Sequence, residues 1–326
     1  MSVRDNPRLT GTVPLGFLLV DGFALMSYAS VVEPFRAAND LAGGRLYEWT
    51  HVSLDGLAAQ ASNGASLITQ ADLADDIACD RLFVLAAGDP AAFRDERCFA
   101  WLRKLARGGT TIIGVSGGPY LLARAGLLEG YRATIHWEHA EALRNEFPDL
   151  EITTGLYVID RARMTCAGGT AGLDLALELI ARDHGAALAG QVGEWFIRTA
   201  PRQSDLAQRA NLQERHGTNN RHLLTMLALM EDAIEEPLAL DRIAAKSGVS
   251  LRQLERLCAA AFGVGTAEIY LRIRLDHAAQ LLRSTGQSVT SVAVSCGFRS
   301  ASHFSRRFRA RFDAPPSVVR RGAAGS

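Results

Sequence analysis

Gly114, Val115, Ser116, Gly117, Gly118 and Pro119 form the stretch best equipped for chemistry in the first two thirds of the sequence. An apolar run, TTIIGV over residues 110–115, gives way to glycines and then to a helical pattern over residues 119–125. A strand is therefore expected to bend sharply into a helix, with Ser116 at the bend, in the G-x-S-x-G pattern that presents a nucleophile. Such a serine attacks a carbonyl when a base takes its proton, and His136, with Glu138 as its orienting partner, is the candidate base. The same bend can bind rather than react. Amides of Ser116, Gly117 and Gly118 at a helix N-terminus suit a ligand carboxylate, while Trp137, Trp49 and Tyr28 are aromatic candidates for facing a cationic amine. Packing in the core is the ordinary role of such rings, and of a buried thiol such as Cys166.

A second set of functional residues lies in the last third. Seven arginines stand against one acid, Asp313, between Arg299 and Arg321, in a chain whose formal net charge is zero. Phe304, Phe308 and Phe312 recur every four positions, which on a helix buries one stripe and leaves Ser302, Ser305, Arg306 and Arg309 on the opposite face. Just before them, Val289, Val292 and Ala293 predict a short helix ending at Cys296 and Gly297, where glycine permits a tight turn. A short helix, a glycine turn and a cationic second helix spell a helix-turn-helix, with the local charge expected of a phosphate-binding surface.

The spacing recurs upstream, from Ile243 and Ala244 through Gly248 to Leu254, Glu255 and Arg256, with one residue fewer after the glycine. Ser250 and Gln253 form a capping box, so this second helix is predicted to start at Leu251. It should turn Leu251, Leu254, Cys258 and Ala261 inward and Arg252, Gln253, Glu255 and Arg256 outward. A long helix over residues 267–284 would fix the two units relative to each other. If it is rigid, their second helices can enter successive major-groove segments about 34 Å apart.

These sites need positioning elements, and 326 residues with 48% hydrophobic side chains suffice for two domains with real cores. Residues 1–200 carry 17 basic and 24 acidic side chains, residues 201–326 carry 18 and 11, so the second part alone is expected to meet nucleic acid. No apolar run reaches the length of about 20 residues that a membrane span needs, and residues 1–10 are polar, which implies a soluble, cytoplasmic protein. Five scattered cysteines without CxxC or Cys/His spacing predict neither disulfides nor a zinc site, and no cofactor is expected. Apolar runs at residues 13–20, 49–54, 81–87 and 110–115 read as buried strands. They alternate with helical patterns at 27–41, 99–105 and 119–125, which argues for a parallel sheet covered by helices on both faces. Beyond it, residues 138–147 read as a helix, residues 151–165 as two strands and residues 171–180 as an apolar helix.

The order GF, F-S-R-x-F, F-D-A-P-P from Val292 to Arg320 resembles the C-terminal signature of AraC/XylS transcription regulators, whose DNA-binding domain is all-α with two helix-turn-helix units. Residues 12–198 resemble the PfpI/ThiJ superfamily, with its class I glutamine amidotransferase-like fold. Its enzymes place a reactive cysteine at the elbow, commonly followed by histidine, and an acid after the first strand. Here Ser116 and Gly117 stand at the first two positions, and Ala24, Leu25, Met26 and Ser27 offer no carboxylate for the third. THW-E near residue 136 and YVIDRARMTCAGGTAGLDL from Tyr157 resemble the GlxA-like subgroup, which joins the two domains.

The resemblance implies an amidotransferase-like domain over residues 10–200 for effector binding and dimerisation, a linker over 201–220, and a DNA-binding domain over 221–322. It further implies a sequence-specific regulator, an activator of a catabolic operon working as a homodimer with RNA polymerase, that senses a small amino acid or quaternary amine through a non-catalytic first domain. Ligand-binding residues would be Ser116, Gly117, Gly118, His136 and Trp137. By analogy with the family's reading positions, Arg252, Gln253 and Arg256 of the first unit and Ser302 and Arg306 of the second would face bases, with Arg299 and Arg309 on phosphates. The alternative is a hydrolase or amidotransferase that uses Ser116 and His136.

Overall fold

The computed structural model describes residues 11–198 and 200–324, and the chain divides into two compact units between Gln208 and Arg209. In the first, the elements are β1 (Val13–Leu19), α1 (Leu25–Ala42), β2 (Tyr47–Val52), β3 (Ala58–Gln60), β4 (Ser66–Ile68), β5 (Arg81–Ala86), α2 (Glu96–Arg107), β6 (Thr111–Ser116) and α3 (Gly118–Arg124). They continue with β7 (Arg132–Thr134), α4 (Ala140–Glu146), β8 (Glu151–Thr153), β9 (Tyr157–Asp160), β10 (Arg163–Cys166), α5 (Ala171–His184) and α6 (Ala186–Trp195).

Six strands form one sheet in the order β2-β1-β5-β6-β10-β9, parallel throughout except for the antiparallel edge strand β9. Both faces of the sheet are covered, which is why β1 and β5 read as nearly continuous apolar runs. Phe17, Phe83, Ile113 and Val115 pack on one face against Val31 and Phe35 of α1 and Leu175 and Ile180 of α5. On the other, Leu18, Leu82, Val84 and Ile112 meet Phe99 and Leu102 of α2 and Leu121 and Leu122 of α3. A buried ion pair ties sheet to helix. Arg81 of β5 binds Asp183 at the end of α5 through two hydrogen bonds of 2.5 and 2.6 Å, and the Tyr47 hydroxyl donates to the same carboxylate at 2.9 Å.

The architecture is the α/β one expected, with three local departures. Residues 151–165 hold three strands rather than two, because the chain reverses at Arg161, a non-glycine residue at φ 54°. The helix expected from residue 138 starts at Ala140, since residues 136–139 form a turn closed by the His139 N–H donating to the His136 carbonyl at 2.9 Å. The small β3–β4 hairpin, the strand β7 and the helix α6 had no counterpart in the sequence-based outline.

The second unit is all-helical: α7 (Leu212–His216), α8 (Arg221–Asp232), α9 (Leu240–Lys246), α10 (Leu251–Phe262), α11 (Thr266–Ser284), α12 (Val289–Ser295), α13 (Ala301–Phe312) and α14 (Pro316–Ala324). It holds two cores. Met226, Met230, Ile243, Leu254 and Cys258 pack with Ile269 and Tyr270 from the first half of α11, while Val292, Cys296, Phe304 and Phe308 pack with Leu275, Ala278 and Leu282 from its second half.

Polar residues of the 201–220 segment are engaged within both units. Arg202 pairs with Asp174 at 2.7 Å, and the Gln208 amide donates to Thr134 Oγ1 and to the Ile135 and Gly155 carbonyls at 2.9–3.0 Å. Within the second unit, Arg215 grips Glu231 of α8 through hydrogen bonds of 2.9 and 2.7 Å.

Candidate nucleic-acid interface and elbow site

Each helix-turn-helix unit is built from the same local instructions. Gly248 and Gly297 adopt φ of 74° and 69°, the left-handed turn that a side chain resists. Ser250 then caps α10 by accepting the Gln253 N–H at 3.3 Å, and Ser300 caps α13 by accepting the His303 N–H at 3.4 Å. Burial of Leu254 and Cys258 on α10, and of Phe304 and Phe308 on α13, orients the opposite faces outward. Arg252, Gln253 and Arg256 are exposed on α10, as are Ser302, Arg306 and Arg309 on α13 and Arg299 just before it.

Three placements differ from expectation. Ala261 is exposed rather than inward, lying beyond the last turn that the core covers. Glu255 is not a solvent-facing group, because its carboxylate accepts the Thr266 N–H at 3.1 Å and so caps the start of α11. Ser305 is half-buried beside the Phe304 stripe.

Not all of the arginine excess is available to a polyanion. Arg307 pairs with Glu268 at 3.0 Å, and Arg311 holds Asp276 through hydrogen bonds of 2.8 and 2.6 Å, both across to α11. Among the described residues, Arg252, Arg256, Arg299, Arg306 and Arg309 have no such partner, so theirs are the charges that can meet phosphate or base.

Arg274 of α11, which no sequence signal singled out, lies beneath the second turn. It donates to the Cys296 and Gly297 carbonyls at 2.7 Å each and covers the Phe298 ring at 4.2 Å from its centroid. An arginine in a long amphipathic helix reads as solvated until its neighbours are known, and here burial pushes its pKa down.

In the first unit, Ser116 closes β6 in the left-handed region at φ 59° and is buried. Its two glycine neighbours are needed for close approach to β5. The Gly117 N–H donates to the Ala86 carbonyl at 2.7 Å, and a Cβ on Gly118 would collide with the Val84 carbonyl oxygen. The Gly117 amide is thus engaged in the fold, which corrects the expectation that it holds a ligand carboxylate. Across from Ser116, a Cβ on Gly168 would lie 2.6 Å from Ser116 Cβ and 2.8 Å from Ser27 Oγ, and Ser27 accepts the Gly169 N–H at 2.8 Å. A serine therefore approaches the elbow from the start of α1.

The His136 N–H donates to the Ser116 carbonyl at 3.3 Å, which places the 136–139 turn against the elbow. The His136 ring faces Trp137 and His139 at centroid distances of 5.4 and 5.9 Å, and its Nδ1 is 3.5 Å from Glu138 Oε2. Burial pushes the His136 pKa down and that of His139 to about 3, so both rings are neutral at neutral pH. The orienting carboxylate of a catalytic pair is present, yet among the described residues no hydrogen bond joins the Ser116 hydroxyl to the imidazole.

Trp49 and Tyr28 belong to another neighbourhood. Trp49 lies on β2, with β1 and β5 between it and β6, and Tyr28 donates or accepts at His51 over 2.9 Å while packing edge-on to Phe17 and Phe23. Cys166 is fully buried with its pKa pushed up to about 12, an unreactive thiol. A cleft of 1070 Å³ in this unit, lined by Tyr157, Asp174, Glu178, Arg182 and Arg202 among others, includes neither Ser116 nor His136.

Comparison with known proteins decides the family. Residues 243–322 match a helix-turn-helix domain family and residues 16–182 the DJ-1/PfpI family. The HTH-type transcriptional regulator CdhR of Pseudomonas aeruginosa is 45% identical over 306 residues, 93% of this chain and 90% of that protein. The HTH-type transcriptional regulator GlxA of Rhizobium meliloti is 42% identical, covering 94% of this chain and 95% of that protein. The chain belongs to this family of helix-turn-helix transcriptional regulators.

A crystal structure of an AraC family transcriptional regulator from Pseudomonas putida superposes on 56% of this regulator and 99% of that chain, with a TM-score of 0.53 and 27% identity. The regulator thus joins a DJ-1/PfpI domain to an AraC-type DNA-binding unit. No helix among its described residues is long and apolar enough to cross a membrane.

Proposed function

We propose that this regulator reads operator DNA with Arg252, Gln253 and Arg256 of α10 and with Ser302 and Arg306 of α13, while Arg299 and Arg309 engage phosphates. One observation carries the assignment: two capped helices project exposed, unpaired guanidinium groups while their apolar faces are fixed to a shared helix, α11. Arginine contacts guanine bidentately, which is worth about 1–3 kcal/mol of discrimination per contact. Selection from a random duplex pool, followed by footprinting, tests this. Protected sites should comprise two major-groove segments per protomer, and a single protected segment refutes the two-helix assignment.

The first unit, in the same proposal, senses a small amino acid or quaternary amine without turning it over, in a cytoplasmic homodimer that activates a catabolic operon by engaging RNA polymerase. Ser116, Gly118, His136 and Trp137 are the elbow residues that would bind the effector; Gly117 shapes the turn. A strained serine at φ 59° is what favours the hydrolase alternative, and the absence of a Ser116–His136 hydrogen bond among the described residues supports the binding reading over it. Effector control further requires tighter ligand binding in one arrangement of the protein than in another.

A thermal-shift screen against amino acids and betaines, repeated with Ser116→Ala, tests the sensor reading. A hit that shifts both proteins equally and alters DNA affinity supports it, and product formation lost in the variant supports the hydrolase.

A further inference from the structure

We propose that His136, Glu138 and His139 form a binding site for a divalent first-row transition ion of the zinc class. β7 ends at Thr134 and the chain turns at once, with the His139 N–H on the His136 carbonyl at 2.9 Å and the Ala140 N–H on the Trp137 carbonyl at 3.4 Å. The turn gathers three side chains that are close in sequence, and one ligand atom from each lies within 4.8 Å of the other two. Two imidazoles and a carboxylate are the donor set of three-ligand zinc sites, which keep a further position for water or a bound molecule. His136 Nδ1 is 3.5 Å from Glu138 Oε2 and accepts the Glu138 N–H at 3.4 Å, a bond that coordination through this nitrogen would replace. The separation from Oε2 is close to the ligand-to-ligand edge of about 3.4 Å that metal bonds of about 2.0–2.1 Å impose in a tetrahedron.

His139 is 4% exposed, and its ring faces that of His136 at a centroid distance of 5.9 Å. The site would sit against the elbow, since the His136 N–H is bound to the Ser116 carbonyl at 3.3 Å, and its open position is where an amino or carboxylate group could coordinate.

The test uses the full chain, stripped with a chelator and titrated with Zn²⁺ and, in parallel, with Co²⁺. One equivalent should bind, and the cobalt form should show the visible absorption of a four- or five-coordinate ion. Glu138→Gln and His136→Gln alter half-buried positions and keep side-chain size. Each should weaken Zn²⁺ binding by about 100-fold or more, with an unchanged circular dichroism spectrum. Cys79→Ser should leave binding as it was. Failure of the parent protein to take up one equivalent overturns the proposal, as does undiminished affinity in both variants. Because no effector enters this titration, its failure leaves the effector reading standing. A protein that binds zinc stoichiometrically but responds to no amine or amino acid would sink the effector reading alone.

Discussion

Arg306 and Arg307 are adjacent in sequence and should behave oppositely. Arg306 is exposed on α13 without a partner among the described residues, whereas Arg307 reaches Glu268 of α11 at 3.0 Å, with both side chains 40% exposed. Arg306→Ala removes one base contact, so operator affinity should fall by about 1–3 kcal/mol, or about 5- to 150-fold, with relaxed sequence preference and unchanged thermal stability. Arg307→Ala removes a half-exposed ion pair, which contributes at most about 1 kcal/mol to folding, and should leave operator affinity within about twofold. The salt dependence gives a second measure. Each phosphate contact contributes about −0.9 to the slope of log K against log salt, so the phosphate-facing Arg299→Ala should make the slope shallower by about one. Fluorescence anisotropy with operator and scrambled duplexes at several salt concentrations, alongside thermal unfolding, reads all these quantities. The reasoning is refuted if the Arg306 and Arg307 variants lose affinity equally, or if the loss at 306 is the same on operator and scrambled DNA.

Further expectations follow from the buried contacts. Arg274→Met keeps the packing on Phe298 but loses the bonds to the Cys296 and Gly297 carbonyls, each worth about 1.5–3 kcal/mol, so chemical denaturation should show a marked loss of stability. Gly118→Ala should reduce stability by more than about 2 kcal/mol or yield insoluble protein, because its Cβ meets the backbone of β5; expression and melting at wild-type levels would contradict the elbow geometry. Burial holds the His51 pKa below its ordinary value of 6.5. Its contribution to stability is therefore full above the unfolded-state value and lost as pH falls below it, so melting temperatures measured downward from neutrality should decline less in His51→Gln than in the parent.

The helix-turn-helix units were legible because their instructions are local. Apolar anchors, a glycine that must take positive φ and a serine cap lie within about a dozen residues of each other in both copies, and α9, α10, α12 and α13 formed where the spacing put them. The parallel sheet was legible for a related reason, since burial on both faces demands uninterrupted apolar strands such as β5. What escaped depends on distant partners or unsignalled backbone. Arg161 turns the chain with a positive φ that its residue type does not announce, so β9 and β10 merged into one expected strand. The pairing of Arg307 and Arg311 with Glu268 and Asp276 is set by how α13 lies on α11, which no periodicity reveals. The Gly117 amide looked available because its acceptor, Ala86, is 31 positions earlier and meets it through the β5–β6 register.

Sharing α11 explains how two small bundles can serve as one reader. Each core is too small to be well stabilised alone, and each completes itself on a different half of the same helix. At 19 residues and about 1.5 Å per residue, α11 is a rod about 28 Å long, comparable to one turn of the duplex. Glu255 secures α10 to its first turn, while Arg307 and Arg311 secure α13 to Glu268 and Asp276 along its length. Those pairs are individually weak in water, but they need only select one docking of α13 among several that the phenylalanine stripe would accept. The arginines withdrawn from the DNA-facing charge thereby set the geometry in which the remaining ones meet the groove.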